Sequence, residues 1–248
     1  MKSNEGAEAA KRRAGESAAD RVRDGEVVGL GTGSTAAHAI RTLGRAVDAG
    51  LDVRGIPTSY QSRTLAREVG IPQTTLEDAT PDVAIDGADQ AAPLGAADVD
   101  EAGRAGADVF DGSDGAVLVK GGGGAHAREK VVDAAADRLL VVVDESKLAA
   151  AVDRPVPVEV LPDATPTVRE RVAELGGDPT LRAAERKDGP VVTDNGNLVL
   201  DCAFGTVDDP SALARELDAV PGVVAHGLFC DLADEIHVGA DDVSVHEF

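Results

Sequence analysis

Apolar side chains recur along this chain with two different periods, and the alternation between them outlines a fold. Ala7, Ala10, Ala14, Ala18 and Val22 fall at helical spacing among charges, which predicts a helix over residues 5–22 with a thin apolar stripe. Asp24-Gly25 ends it, and Val27-Val28-Gly29-Leu30 reads as a short buried strand. A Gly/Ser/Thr turn then leads into a helix whose face carries Ala36, Ala37, Ala39, Ile40 and Leu43. Strands over 51–56 and 81–85 flank a helix over 59–69, and strands over 117–119 and 139–143 flank a helical segment containing Arg128, Glu129 and Lys130. Strands alternating with helices predict an α/β fold, a doubly wound, Rossmann-like domain with a mostly parallel sheet.

The texture changes at Arg154, where proline punctuates the alternating Val156, Val158 and Val160. A helix over 166–175, a strand over 179–184, a hairpin over 190–201 around Asn195-Gly196, a helix over 211–217 and a strand over 223–229 complete a smaller α+β, ferredoxin-like unit. The expected division is therefore residues 1–153 with 229–248 returning to them, the strand over 234–239 included, and a second domain over 154–228. Between the strands at 81–85 and 117–119 lies an acidic stretch, 90–115, whose sizeable hydrophobes are only Leu94, Val99, Val109 and Phe110. So little apolar material predicts a mobile or weakly packed excursion.

Charge narrows the function more than size does. With 24 Lys+Arg against 45 Asp+Glu in 248 residues, the formal net charge is −21, which repels nucleic acid phosphates and anionic membranes. Such an excess is tolerated where salt shortens the Debye length to about 3 Å near 1 M, so a halophilic protein of a high-salt cytoplasm is expected. Cys202 and Cys230 are too few for a disulfide framework, which points to a reduced, cytoplasmic setting. Residues 1–23 have no apolar centre of the signal-peptide kind, no segment approaches a membrane span, and the five histidines lack metal-ligand spacing.

Chemistry gathers at the carboxyl ends of the predicted strands, where ligands bind in open α/β sheets. Lys120 is followed by Gly121, Gly122, Gly123 and Gly124, then by a helix opening near Glu129. Each glycine costs roughly 1 kcal/mol relative to alanine in a regular element, so four in a row suit a backbone that approaches a ligand closely. A cation, a nest of N–H donors and a carboxylate are the parts that move a proton beside a carbonyl. A flexible surface loop is the alternative reading of the same stretch. Thr32, Gly33, Ser34 and Thr35, between strand and helix, can present N–H groups and hydroxyls to a phosphate, or serve as a capped turn. Asp86-Gly87-Ala88-Asp89 can aim two carboxylates at one pocket or make an ordinary turn, and Lys147 ends the strand at 139–143.

Seven motifs in order, G-L-G-T-G-S-T at 29–35, D-G-A-D at 86–89, K-G-G-G-G-A-H-A-R-E-K at 120–130, D-E-S-K at 144–147, P-V-P-V-E-V at 155–160, V-V-T-D-N-G-N-L-V-L-D at 191–201 and P-G-V-V-A-H-G-L-F at 221–229, resemble the ribose-5-phosphate isomerases of type A. The resemblance spans nearly the whole chain. It implies interconversion of ribose 5-phosphate and ribulose 5-phosphate in the non-oxidative pentose phosphate route, with no metal or organic cofactor, in a homodimer or homotetramer. By the same resemblance Glu129 is the general base of a cis-enediolate mechanism, and Lys120 with the glycine-loop N–H groups meets the enediolate oxygen. Asp86 and Asp89 serve ring opening and hydroxyl proton transfer. Thr32, Gly33, Ser34 and Thr35 hold the phosphate with charge from Lys147 and Lys11, while Gly87, Ala88, Gly121, Gly122 and Gly123 line the sugar.

Two features depart from the family pattern. The segment from Asp89 to Lys120 is longer and more acidic, which is expected to be a surface insertion that leaves the site intact. His126 stands where the family has a nonpolar or hydroxyl residue and is read as structural. A sugar-phosphate deaminase, a CoA-transferase with a glutamate nucleophile, and a non-catalytic sugar-phosphate sensor are the competing functions. A sensor would need an output segment, and no basic stripe or helix-turn-helix supplies one.

Overall fold

The computed structural model describes residues 2–95, 105–185 and 188–248. Its largest sheet has six strands in the order β13-β12-β6-β3-β1-β2. These are β1 (Val27–Leu30), β2 (Arg54–Pro57), β3 (Val83–Gly87), β6 (Leu139–Asp144), β12 (Glu235–Gly239) and β13 (Val243–Glu247). All pair in parallel except β12 with β13. The Val/Leu/Ile runs of β1, β3 and β6 are buried along nearly their whole length, as strands covered on both faces must be. On one face α1 (Lys2–Ala19) packs on α2 (Ser34–Asp48), where Ala14, Ala18, Ala36 and Ala39 are fully buried, with α3 (Tyr60–Glu68) alongside α2. On the other, α4 (His126–Ala135) brings Val132 against Val27 and Ile56. The doubly wound sheet is therefore present, extended by β13, an edge strand that the apolar pattern did not announce.

The strand at 117–119 is not part of that sheet. As β5 (Ala116–Val119) it is the centre of a separate antiparallel sheet, ordered β11-β5-β4, with β4 (Gln90–Pro93) and β11 (Leu228–Cys230). A parallel partner would need a crossover on one face of the sheet. The chain instead forms β4 immediately after β3, and β5 returns along it with Gln90 opposite Val119 and Pro93 opposite Ala116. For its described parts, 90–95 and 105–115, this corrects the expectation of a weakly packed excursion over 90–115. Ala91 and Ala92 are completely buried, and Val109 and Phe110 join the core around Phe229. Residues 96–104 of that excursion lie outside the described residues.

The second half forms a four-stranded antiparallel sheet ordered β10-β7-β9-β8. Its elements run β7 (Val156–Val160), α5 (Thr165–Glu174), β8 (Asp178–Leu181), β9 (Leu198–Ala203), α6 (Pro210–Asp218) and β10 (Val223–His226), the βαββαβ order of a ferredoxin-like unit. Val156, Val158 and Val160 meet Val168, Val172, Leu200 and Leu217 in one core. The hairpin over 190–201 forms only in part. Thr193 N–H donates to Asn197 at 2.9 Å and closes the turn, but the arm before it makes isolated bridges at Val192 and Pro190 while β8 takes the place beside β9. Buried Glu159 explains the distortion: one of its oxygens accepts from Thr193 Oγ1, Asn195 Nδ2 and Asn197 Nδ2 at 2.8–2.9 Å, which wraps the turn around the carboxyl group.

The strand over 223–229 is broken at Gly227, so that β10 serves one sheet and β11 another. Gly227 donates to Pro157 O at 2.7 Å and accepts from Lys120 N at 2.8 Å. A Cβ at this position would sit 2.2 Å from the Lys120 carbonyl oxygen, so only glycine allows the approach. Among the described residues, no helix is long and apolar enough to cross a membrane.

Candidate active site

The carboxyl ends of β1 and β3 meet at Asp86, which is 1% exposed. Its Oδ1 accepts from Thr32 N at 2.9 Å and from Gly87 N at 2.7 Å, and the chain entering α2 passes so close that a Cβ on Gly31 would stand 2.5 Å from the Asp86 Cα. The other carboxylate of the turn is placed by the β4–β5 ladder. With Gln90 opposite Val119, Asp89 N–H donates to Val119 O at 2.8 Å, which sets Asp89 beside the glycine loop; its Oδ2 accepts from Gly122 N at 2.7 Å. The β4–β5 register thus sets Asp89 beside the glycine loop.

Lys120 follows β5 and is 2% exposed. Its Nζ lies 2.9 Å from Asp86 Oδ2, 3.6 Å from Glu129 Oε2 and 3.8 Å from Asp133 Oδ2, and donates to Gly87 O at 2.5 Å. Phe229 turns its ring to the same ammonium at 5.3 Å. Glu129 and Asp133 are one turn apart on α4 and both buried, so one ammonium faces three carboxyl groups out of water. Burial works against the charged lysine, but Asp86, Glu129 and Asp133 outweigh it and raise its pKa above the ordinary value. Burial lifts the Glu129 carboxyl to about 8, against the pull of Lys120 and with a further push from Asp86 and Asp89. Burial and the Asp86 charge also hold Asp133 well above the usual carboxylate range.

A cavity of about 160 Å³ opens among these groups. Residues 32–35 bound it on one side, residues 87–89 and 121–123 on another, and Lys120, Glu129, Lys147 and Gln61 complete the lining. Thr32 is held by its hydroxyl, 2.9 Å from Thr58 Oγ1 and 2.7 Å from Ser59 Oγ. The helix that starts here, α2, has Gly33 as its cap and no side chain bonded to its first turn, so its N–H groups remain available to an anion.

Lys11 is not brought to this cavity; its ammonium lies on α1, 3.6 Å from Glu8, and is absent from the lining. His126 is fully buried beside Gly121, and burial pushes its pKa down to about 3, so it is a neutral packing group. No group of three or more His, Cys, Asp or Glu among the described residues is arranged to hold a metal ion. Three contributors escaped the sequence reading. Asp133 was legible, being four residues after Glu129 and hence on the same helix face. Gln61 comes to the cavity lining, and Arg182 to the carbonyls of the glycine loop behind it, through tertiary packing, which leaves no local signal.

Comparisons with known proteins agree with this geometry. A family model described as ribose 5-phosphate isomerase A (phosphoriboisomerase A) matches residues 54–98 and 105–243, and the interval it skips falls inside the acidic excursion. Curated ribose-5-phosphate isomerase A proteins from Natronomonas pharaonis and Haloarcula marismortui are 67% and 62% identical, the first over 98% of both chains and the second over 97% of this chain and 96% of its own. The solved ribose 5-phosphate isomerase A of Methanocaldococcus jannaschii is 40% identical with a TM-score of 0.84, covering 96% of this chain and 98% of its own. A solved D-ribose-5-phosphate isomerase in complex with phospho-erythronic acid is 37% identical with a TM-score of 0.85, at the same coverage. The chain therefore belongs to the ribose 5-phosphate isomerase A family and is an isomerase of ribose 5-phosphate.

Proposed function

We propose that this enzyme shifts a proton between C2 and C1 of the open-chain sugar phosphate through a cis-enediolate, with Glu129 as the base. In the forward direction Glu129 takes the proton from C2 of ribose 5-phosphate and returns it to C1, giving ribulose 5-phosphate. A carbon-bound hydrogen beside an aldehyde is weakly acidic, so the step requires fixed donors at the oxygen where charge develops. Lys120 and the glycine-loop N–H groups are those donors. Asp86 and Asp89 open the ring and carry hydroxyl protons, and the phosphate rests on residues 32–35 at the start of α2 with Lys147 nearby. The observation that carries this reading is the approach of the Lys120 ammonium to both Asp86 and Glu129, at 2.9 and 3.6 Å, in one cavity. The ligand of the 37% identical relative, phospho-erythronic acid, supports it too, since a phosphate at one end and an acid group at the other suit a cavity with donors at both.

Glu129→Gln is expected to bind substrate and lose most turnover in a coupled assay for ketopentose phosphate with EDTA present. Near-native turnover would remove Glu129 from the mechanism. The same assay distinguishes isomerisation from CoA transfer and from sensing, neither of which forms the ketose. We further place the enzyme in the non-oxidative pentose phosphate route of the cytoplasm, working as a homodimer or homotetramer. Exposed Leu76, Val131 and Val224 line one surface cavity and support self-association, which light scattering at molar salt would test.

A further inference from the structure

Arg182 lies just beyond β8, in the ferredoxin-like unit, and does not line the substrate cavity. Its guanidinium is held at the back by Asp201 on β9, through Nε at 2.9 Å and through Nη2. The remaining nitrogen, Nη1, donates to two consecutive carbonyls of the catalytic loop, Gly121 O at 2.8 Å and Gly122 O at 3.1 Å. A trans peptide points its N–H opposite to its carbonyl. Fixing the Gly121 carbonyl therefore turns the Gly122 N–H away from the arginine, and that N–H does reach Asp89 at 2.7 Å on the other side. By the same geometry, fixing the Gly122 carbonyl turns the Gly123 N–H away from Arg182. Gly123 lines the cavity with Lys120 and Glu129, and its N–H has no protein partner among the described residues.

We propose that Arg182 is a positioning residue for catalysis: it holds two peptide planes of the glycine loop so that the Gly123 N–H is fixed as a donor to the enediolate oxygen and the Gly122 N–H is fixed to Asp89. The inference rests on the proposed enediolate reading, because a preset donor matters only if negative charge develops there. The loop closes its own turn with Gly124 N–H on Gly121 O at 3.0 Å, but that bond leaves the central Gly122–Gly123 peptide free to rotate between glycines, so an outside clamp is needed to keep its donor oriented before charge appears. The planar guanidinium suits the task because it can engage Asp201 with two nitrogens while a third spans two carbonyls, which an ammonium cannot reproduce.

The test compares Arg182→Ala, Arg182→Lys and Glu129→Gln in one isomerisation assay, with melting followed in the same buffer. Removing an oxyanion donor lowers kcat by roughly 100- to 1000-fold, and misdirecting one should cost less, about 10- to 100-fold in Arg182→Ala with KM within about twofold of native. Arg182→Lys keeps the charge without the fork and should recover kcat only in part, while added guanidinium ion at low millimolar concentration should restore part of the Arg182→Ala turnover. Native kcat in a folded Arg182→Ala, full recovery in Arg182→Lys, or an effect confined to KM would each overturn the assignment. If Arg182→Ala does not fold, Arg182→Lys and Asp201→Asn are read by the same criterion, native kcat in either counting against it. Native turnover in Glu129→Gln would instead overturn the enediolate reading itself, so the two failures are told apart.

Discussion

Replacing Glu129 with glutamine should stabilise the protein in alkaline solution while it abolishes turnover. In the folded chain burial lifts the carboxyl from an ordinary 4.5 to about 8. Between those pH values the unfolded chain releases this proton and the folded chain keeps it. The folded state then binds more protons, so native stability declines as pH rises through the window and levels off above it. At about 1.4 kcal/mol for each decade of pH, the ceiling on this penalty is on the order of 5 kcal/mol. Glutamine occupies the same space without ionising, and Lys120 still has Asp86 at 2.9 Å as its partner. Urea denaturation of both proteins at about pH 5 and about pH 9, at one KCl concentration, reads the effect as a gap that opens in favour of the variant on the alkaline side. Asp133 faces the same cage, and the Glu129 charge adds to the burial and the Asp86 charge that raise its carboxyl, so removing that charge works in the same direction. An equal difference at the two pH values, or a loss at the higher one, would refute the reasoning.

Other perturbations test separate parts of the architecture. Lys120→Met leaves Asp86, Glu129 and Asp133 buried without their cation and should cost about 3–5 kcal/mol in urea denaturation at neutral pH, with an unchanged midpoint as the contrary result. Gly31→Ala would put a methyl group 2.2 Å from Asp86 Oδ1, which should cost about 1–3 kcal/mol and lower kcat by displacing that carboxylate; a native melting temperature would show that the loop has room. Dilution from about 2 M to about 0.1 M KCl should lower the melting temperature, because the net charge of −21 is then screened over a longer distance. A midpoint insensitive to KCl would disconnect the acidic composition from salt.

Some of this fold was legible because its strands announce themselves by burial. Val27-Val28-Gly29-Leu30 and Leu139 to Val143 are apolar runs bounded by turn residues, and both are interior strands. Gln90 to Pro93 was missed since Gln-Ala-Ala-Pro carries no β-branched or aromatic residue; its place is set by pairing with β5 and by the burial of Ala91 and Ala92. The break at Gly227 escaped for a similar reason, the apolar run being continuous through it. Asp86, Asp89, Lys120 and Glu129 stand together in the structure, and their types and order beside glycines drew attention to them in the sequence. Lys11 did not join them: it stands on α1 with its ammonium 3.6 Å from Glu8, away from the cavity. Arg182 shows the converse limit: the carbonyls it grips lie about 60 positions away in sequence and meet it only after two sheets have formed.

The joint at Gly227 has a consequence for how this enzyme can move. One peptide segment there is tied both to Pro157 on β7, an interior strand of the four-stranded sheet, and to the main chain of Lys120. A hinge between the two halves would have to tear that lysine from its mooring or carry it along, so the fold resists opening at the place where many two-part enzymes flex. The side chain of Lys120 and the cavity it lines are thereby moored to both sheets at a single peptide.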